Sequence, residues 1–270
     1  MNPPAPSGIE RIRAAFQAAR AAQRPALLPF ITGGFPDVAT TEALLEALPD
    51  AGADLIEVGI PFSDPIADGP VIAESMHRAL LAGTTPDAVF AAIARVRPRV
   101  PVLAMVSVSI VSRVGAGCFI DRAVESGVAG LIVPDADPSD ARLLSQLAAA
   151  RGAGFCALIA PTTAAERTRE LVRLSTGFVY LLARAGVTGE RSDLPDLSPR
   201  MAQLRTLGDV PVAVGFGVST AAHVRAIGAY ADGAIVGSAI VRRMSDAAAQ
   251  GTSAVDPALA LVRALGAPRQ

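Results

Sequence analysis

"AGADLIEVGIPFSDPIADGP", Ala51 to Pro70, contains a glycine turn, an apolar β-branched run and a long loop, in that order. Apart from Glu57, the run "DLIEVGI" is apolar at nearly every position, which is how a parallel strand covered on both faces reads. The glycine before it recurs in "SGVAGLI" and "RGAGFCALI", marking a repeated turn from helix into strand. Seven further runs follow the same plan: "ALLPFIT", "PVLAMVSV", "GLIVPD", "GFCALIAP", "GFVYLLA", "VPVAVGFG" and "DGAIVGS", beginning at Ala26, Pro101, Gly130, Gly154, Gly177, Val210 and Asp232. Between the runs lie alanine-rich segments of helical length, several opening at Ser, Thr or Asp and closing at Gly or Pro. Eight β/α units with apolar strands predict an α/β fold, a single (β/α)8 TIM barrel; a doubly wound open sheet is the alternative. Ile9 to Ala22 reads as an extra N-terminal helix capping the barrel's bottom, and "VDPALALVRALG" after Ser253 as the last outer helix. The expected organisation is a flexible tail over 1–8 and one catalytic barrel domain over 9–270.

Composition narrows the chemistry. The chain has 270 residues, 51% of them hydrophobic, and a formal net charge of −1, which suits one domain with a sizeable core. No Lys/Arg cluster with interleaved aromatics occurs, so no nucleic-acid partner is expected. The N-terminus lacks a signal peptide's apolar core, and no apolar run approaches the ~18 residues of a membrane span. A cytoplasmic location without membrane contact is expected. Cys118 and Cys156 sit in apolar stretches and read as buried thiols in a reducing compartment. All 24 basic residues are arginine, which removes Schiff-base catalysis, chain-anchored pyridoxal phosphate and a P-loop lysine. His77 and His223 fall in helical segments without a partner at metal-ligand spacing and read as surface residues, so no metal and no cofactor are expected. Carboxylates, with tyrosine in support, are left for any acid/base work.

In such a barrel the site is built from the C-terminal ends of the strands and the loops after them. Leu55, Glu57 and Gly59 share one strand face, while Asp54, Ile56 and Val58 share the other. If Glu57 faces the barrel mouth, desolvation favours its protonated form and suits it to general acid/base work. A solvated carboxylate or an arginine partner is the plainer reading. Asp68 precedes Gly69 and Pro70, so it reads equally well as a helix cap, and Asp64 as a turn residue. "VGFGVST" and "IVGSAIV" each run from glycine into a helix start, where backbone N–H groups at Gly217 and at Gly237-Ser238 suit a phosphate. "ARAGVTGERSDLP", with Gly186 and Gly189, has the makeup of a lid.

Together "PFITGGFPD", "IEVGIPFSDPIADGP", "YLLARAGVTG", "VAVGFGVST" and "GAIVGSAIV" closely resemble the tryptophan synthase alpha subunit family, in order and across nearly the whole chain. The resemblance implies a lyase that cleaves indole-3-glycerol phosphate to indole and glyceraldehyde 3-phosphate by a retro-aldol reaction, with no metal or Schiff base. It makes Glu57 the acid/base residue at indole C3 and Asp68 the anchor of the indole N–H. Thr188 matches a lid residue that bonds the aspartate; Gly189, Gly217, Gly237 and Ser238 match phosphate contacts; Phe30, Tyr180 and Phe216 match residues around the indole. The implied partner is a tryptophan synthase beta subunit.

Three positions depart from the family pattern. Ser107 stands where a pocket-lining tyrosine is usual, and Ser109 and Asp137 stand where an asparagine and a proline face the beta subunit. These departures make a stand-alone lyase, supplying free indole to a secondary pathway, the alternative reading. A non-catalytic regulator of a beta-type subunit is a third reading, which predicts damaged catalytic positions and an intact interface, the reverse of the pattern seen.

Overall fold

The structure, a computed structural model, describes residues 5–65, 68–183, 195–215 and 217–266. Among the described residues there are nine strands: β1 (Ala26–Thr32), β2 (Ile56–Gly59), β3 (Val102–Met105), β4 (Val128–Ile132), β5 (Gly154–Cys156), β6 (Leu158–Ile159), β7 (Val179–Leu182), β8 (Val212–Gly215) and β9 (Gly233–Val236). They pair in parallel in the order β5-β4-β3-β2-β1-β9-β8-β7-β6. β5 and β6 are two halves of the one run expected from Gly154, so the order starts and ends on the same stretch of chain. That is the (β/α)8 barrel, with its fifth strand interrupted at Ala157. There the Ala157 N–H donates to the Ser175 hydroxyl at 3.2 Å instead of to a neighbouring strand, while β5 pairs with β4 and β6 with β7.

Alternation along the strands divides the core in two. Ile56, Val58 and Ala104 point outward into the layer shared with the helices. Leu28, Leu55, Leu103, Cys156, Phe178 and Ala213 point inward and fill the barrel. The inner cluster also contains Ile12, Phe16 and Ala19, the buried stripe of the helix Gly8–Ala21. This helix starts one residue before the expected Ile9, because Ser7 caps it. The Ser7 Oγ accepts the Glu10 N–H at 3.3 Å, and the Ser7 N–H donates to Glu10 Oε2 at 2.7 Å.

The helix seals the barrel floor by close approach. A Cβ built on Gly130, Gly154 or Gly177 would lie 3.0, 2.8 or 3.4 Å from Ile12 Cδ1. These three glycines, distinct from the turn glycines Gly127 and Gly152, therefore leave room against β4, β5 and the approach to β7 for one isoleucine side chain. Beside it, Phe16 packs on Phe178 with ring centroids 5.6 Å apart.

Two expectations need correction. Cys156 is buried inside the barrel, but Cys118 is exposed. The helix Ala116–Ser126 buries Phe119, Ile120, Ala123 and Ser126, and Cys118 lies off that stripe despite its apolar neighbours. His77 is exposed as expected, whereas His223 is half-buried, its Nδ1 accepting the Ser219 N–H at 3.3 Å. Among the described residues no single helix is long and apolar enough to cross a membrane.

Ile12→Ala removes a fully buried side chain from a floor of glycines that cannot expand to fill the gap. A loss of about 2–5 kcal/mol is expected, read as a lowered urea midpoint. An unchanged midpoint would show that the helix does not seal the barrel.

Candidate active site

The C-terminal ends of the strands carry the unusual chemistry. Glu57 lies in the middle of β2, paired in register with Phe30 on β1 and Leu103 on β3. Its inward neighbour Leu55 belongs to the barrel-filling cluster, so by alternation Glu57 also points inward. It is 0% exposed, and among the described residues neither Oε1 nor Oε2 has a hydrogen-bond partner. A carboxylate in that position is unfavourable by several kcal/mol, so the group stays neutral instead. Burial drives its pKa well above the usual carboxylate range, and no guanidinium among the described residues pulls it back. Among the described residues no arginine pairs with Glu57.

Asp68 is the second displaced acid. Burial raises its pKa from 3.8 to about 6. It is not a helix cap: the helix Pro70–Leu81 has Gly69 at its N-cap, with no side chain bonded to the first turn, and Pro70 at its start. The Asp68 backbone N–H donates to the Pro65 carbonyl at 3.0 Å.

Tyr180 joins these acids from β7, across the barrel. Burial first, and then the charges of Glu57 and Asp68, push its phenol well above its ordinary pKa. Its side chain lies over Gly215 at the end of β8, where any Cβ would collide with the phenol oxygen. Phe30 is held the same way. A Cβ on Gly59 would come within 2.6 Å of Phe30 Cζ, and one on Gly237 within 3.4 Å of Phe30 Cβ. Glycines at three strand ends thus let two aromatic rings lie flat against the wall of the mouth.

β8 and β9 are neighbours, and the glycines beyond them open backbone donors toward the same mouth. Gly217 adopts φ +84°, a left-handed conformation that disfavours side-chain-bearing residues. Gly237 is the N-cap of the helix Ser238–Ala249, and no side chain caps that first turn. Its leading N–H groups, beginning at Ser238, carry the helix's partial positive charge and suit an oxyanion.

The structure thus brings Glu57, Asp68, Phe30, Tyr180, Gly217, Gly237 and Ser238 to one end of the barrel. Thr188, Gly189 and Phe216 lie outside the described residues. Asp64 is exposed, its carboxylate accepting the neighbouring Ser63 hydroxyl at 2.7 Å. Ser107 is the N-cap of the helix Val108–Val114, and its hydroxyl donates to Asp135 Oδ2 at 2.6 Å. Asp135 also accepts the Val108 N–H at 2.8 Å, bracing the loops after β3 and β4 against each other. Sequence reasoning missed Asp135; a carboxylate closing the run "GLIVPD", just beyond β4, was the available signal. Asp137 caps the helix Pro138–Ala149, and bonds from the Asp140 and Ser139 N–H groups hold its carboxyl below its ordinary pKa.

Comparison with known proteins adds to this geometry. The family profile described as tryptophan synthase alpha chain matches residues 16–267. The tryptophan synthase alpha chain of Prochlorococcus marinus (strain MIT 9313) is 47% identical over 241 residues, 88% of each chain. That of Rhodopirellula baltica is 42% identical over 253 residues, 91% of each chain. Among solved structures, a chain of Mycobacterium tuberculosis tryptophan synthase superposes with a TM-score of 0.87 at 33% identity, covering 97% of this chain and 98% of that one. Tryptophan synthase subunit alpha from Legionella pneumophila str. Paris gives 0.86 at 31% identity, over 95% and 97%.

The raised pKa of Asp68 has a consequence for stability. Unfolded, the group loses its proton near pH 4, whereas folded it keeps it to about 6, so the folded state binds more protons between those values. Stability therefore falls as pH rises from about 4 to about 6 and stays lower above. The rise corresponds to ~3 kcal/mol for complete burial, and less for a side chain still in part accessible. Asp68→Asn is expected to be more stable than the wild type by roughly 1–2 kcal/mol at pH 7.5 and equal to it below pH 4. Denaturation midpoints at the two pH values check this; a gain of the same size at both would contradict it.

Proposed function

This chain belongs to the tryptophan synthase alpha chain family, and on that premise we propose the roles its own residues take in the reaction. The chain is a carbon–carbon lyase of tryptophan biosynthesis that cleaves indole-3-glycerol phosphate. The observation that carries the assignment of roles is the dry, unpartnered carboxyl of Glu57 inside the barrel mouth.

The reaction breaks the bond between indole C3 and the first glycerol carbon, leaving indole and glyceraldehyde 3-phosphate. An acid is needed that is protonated near neutral pH and returns to that state at the end of the cycle. Glu57 gives its proton to indole C3, which turns the ring into a cationic leaving group. Its carboxylate then takes the proton from the hydroxyl on the departing carbon as the bond breaks and the aldehyde forms. The proton count closes on Glu57 itself.

Positive charge builds on the indole nitrogen in that step. Asp68, ionised above about pH 6, accepts the indole N–H and stabilises the charge where it develops. Phe30 and Tyr180 hold the ring between the two carboxyls, and the N–H groups at Gly217, Gly237 and Ser238 hold the phosphate. Thr188, Gly189 and Phe216 complete the set by resemblance.

A beta subunit is the partner in this reading. Asp64, Ser109 and Asp137 are exposed on the loops that follow the adjacent strands β2, β3 and β4, and they form one rim of the mouth. A partner seated there would touch the loop that carries Asp68. The stand-alone reading draws on the same rim: Asp137 places a full negative charge on it, already committed to capping a helix.

Glu57→Gln keeps the shape of the side chain and removes its exchangeable proton. Indole release is expected to fall by roughly 10²–10⁴-fold while substrate binding stays within a few-fold of wild type. Turnover near wild type would take Glu57 out of the mechanism. Adding the beta subunit encoded in the same genome is expected to accelerate indole release; substantial activity that does not change on its addition would favour the stand-alone lyase.

A further inference from the structure

At the end of the barrel opposite Glu57, a groove of about 950 Å³ runs between the N-terminal helix, the helix Ser198–Arg205 and the turn over 228–232. Val212, which begins β8, and Asp232, just before β9, fix its place at the strands' N-terminal ends. It shares no residue with the mouth.

Arginines supply its chemistry. Arg13, Gln17 and Arg20 line it from one side of the N-terminal helix, at spacings of four and three. Arg24 and Arg205 line it too, and both are already held in place. Arg24 forks onto Asp54 at 2.5 and 2.8 Å; Arg205 reaches the Tyr230 carbonyl at 3.2 Å and Asp232 at 3.6 Å. The Arg20 guanidinium makes no ion pair or hydrogen bond among the described residues, and that of Arg13 does no more than attract Glu10, whose carboxylate is bonded to Ser7. Asp209 is the remaining carboxylate of the lining, so the helix side of the groove presents two guanidiniums whose forks suit phosphate oxygens.

The facing wall is mixed, with Met201, Val210 and Tyr230 among Ser198, Arg205 and Asp209. Tyr230 is half-buried in that lining, and its ring is a flat group suited to stacking. The groove's volume falls in the range of sites that take small organic ligands.

We propose that this groove is a second ligand site, separate from the lyase centre, for a phosphorylated compound carrying a flat ring, of the nucleoside phosphate class. The phosphates bridge Arg13 and Arg20 while the ring lies on Tyr230. The inference does not depend on the roles assigned to Glu57 and Asp68.

The test is calorimetric titration of the full chain with ADP in saturating glycerol 3-phosphate, which occupies the phosphate donors at the mouth. Binding is expected to persist there and to weaken with added salt. It is also expected to weaken by about tenfold or more in Arg13→Ala/Arg20→Ala, and pyrophosphate, lacking the ring, is expected to bind several-fold less tightly than ADP. Both arginines are exposed, so the double variant is expected to melt and to release indole like the wild type, which separates loss of binding from loss of folding. Absence of ADP binding, its displacement by glycerol 3-phosphate, or equal affinity in the double variant would each overturn the proposal.

Discussion

Closure of the barrel floor is the constraint on which the chemistry at the mouth depends. Ile12 sits against the glycines at the base of β4, β5 and β7, and Phe16 covers Phe178 beside it. With that end sealed, water does not reach the inward face of β2 from below. Glu57 is consequently wholly buried, and dryness alone raises its pKa. A leaking floor would let water hydrate the carboxylate and bring its pKa back toward that of an ordinary glutamate, which is too acidic to protonate a carbon at neutral pH. Packing at one end thus sets the protonation state at the other.

How far the sequence discloses this depends on whether the cause is local. Alternation is local, so the inward face shared by Leu55, Glu57 and Gly59 could be read directly from "DLIEVGI". The eight runs and their glycine turns likewise foretold the barrel. Asp68 could not be resolved in this way: followed by Gly69 and Pro70, it has the sequence of a cap, and what separates the two readings is burial, which depends on residues distant in the chain. The same limit explains Cys118, where apolar neighbours in sequence do not set which side of a helix faces outward. It also explains Asp135, whose partners Ser107 and Val108 lie 28 and 27 residues away. The turn glycines of "SGVAGLI" and "RGAGFCALI", Gly127 and Gly152, take φ +100° and +71° as such turns require, whereas the second glycines, Gly130 and Gly154, answer to the incoming Ile12, a contact distant in sequence.

With 24 arginines and no lysine, the chain has many guanidiniums that could meet a buried acid, yet the described ion pairs keep to the outside. Arg24 with Asp54, Arg151 with Asp121 and Arg142 with Glu170 each join residues 28 to 30 apart, the length of about one β/α unit. Exposed pairs of this kind are worth only about 0–1 kcal/mol, so they contribute little to holding the barrel together. Their placement has a different consequence. Arginine keeps its charge at any pH at which the chain is folded, and a single guanidinium beside Glu57 would favour the carboxylate and undo the effect of burial. Because these arginines are turned toward carboxylates on neighbouring units, the barrel interior carries carboxyls, a thiol and a phenol but no positive charge among the described residues. The neutral acid at the mouth is thus a property of where the cations are not, as much as of the strand that presents it.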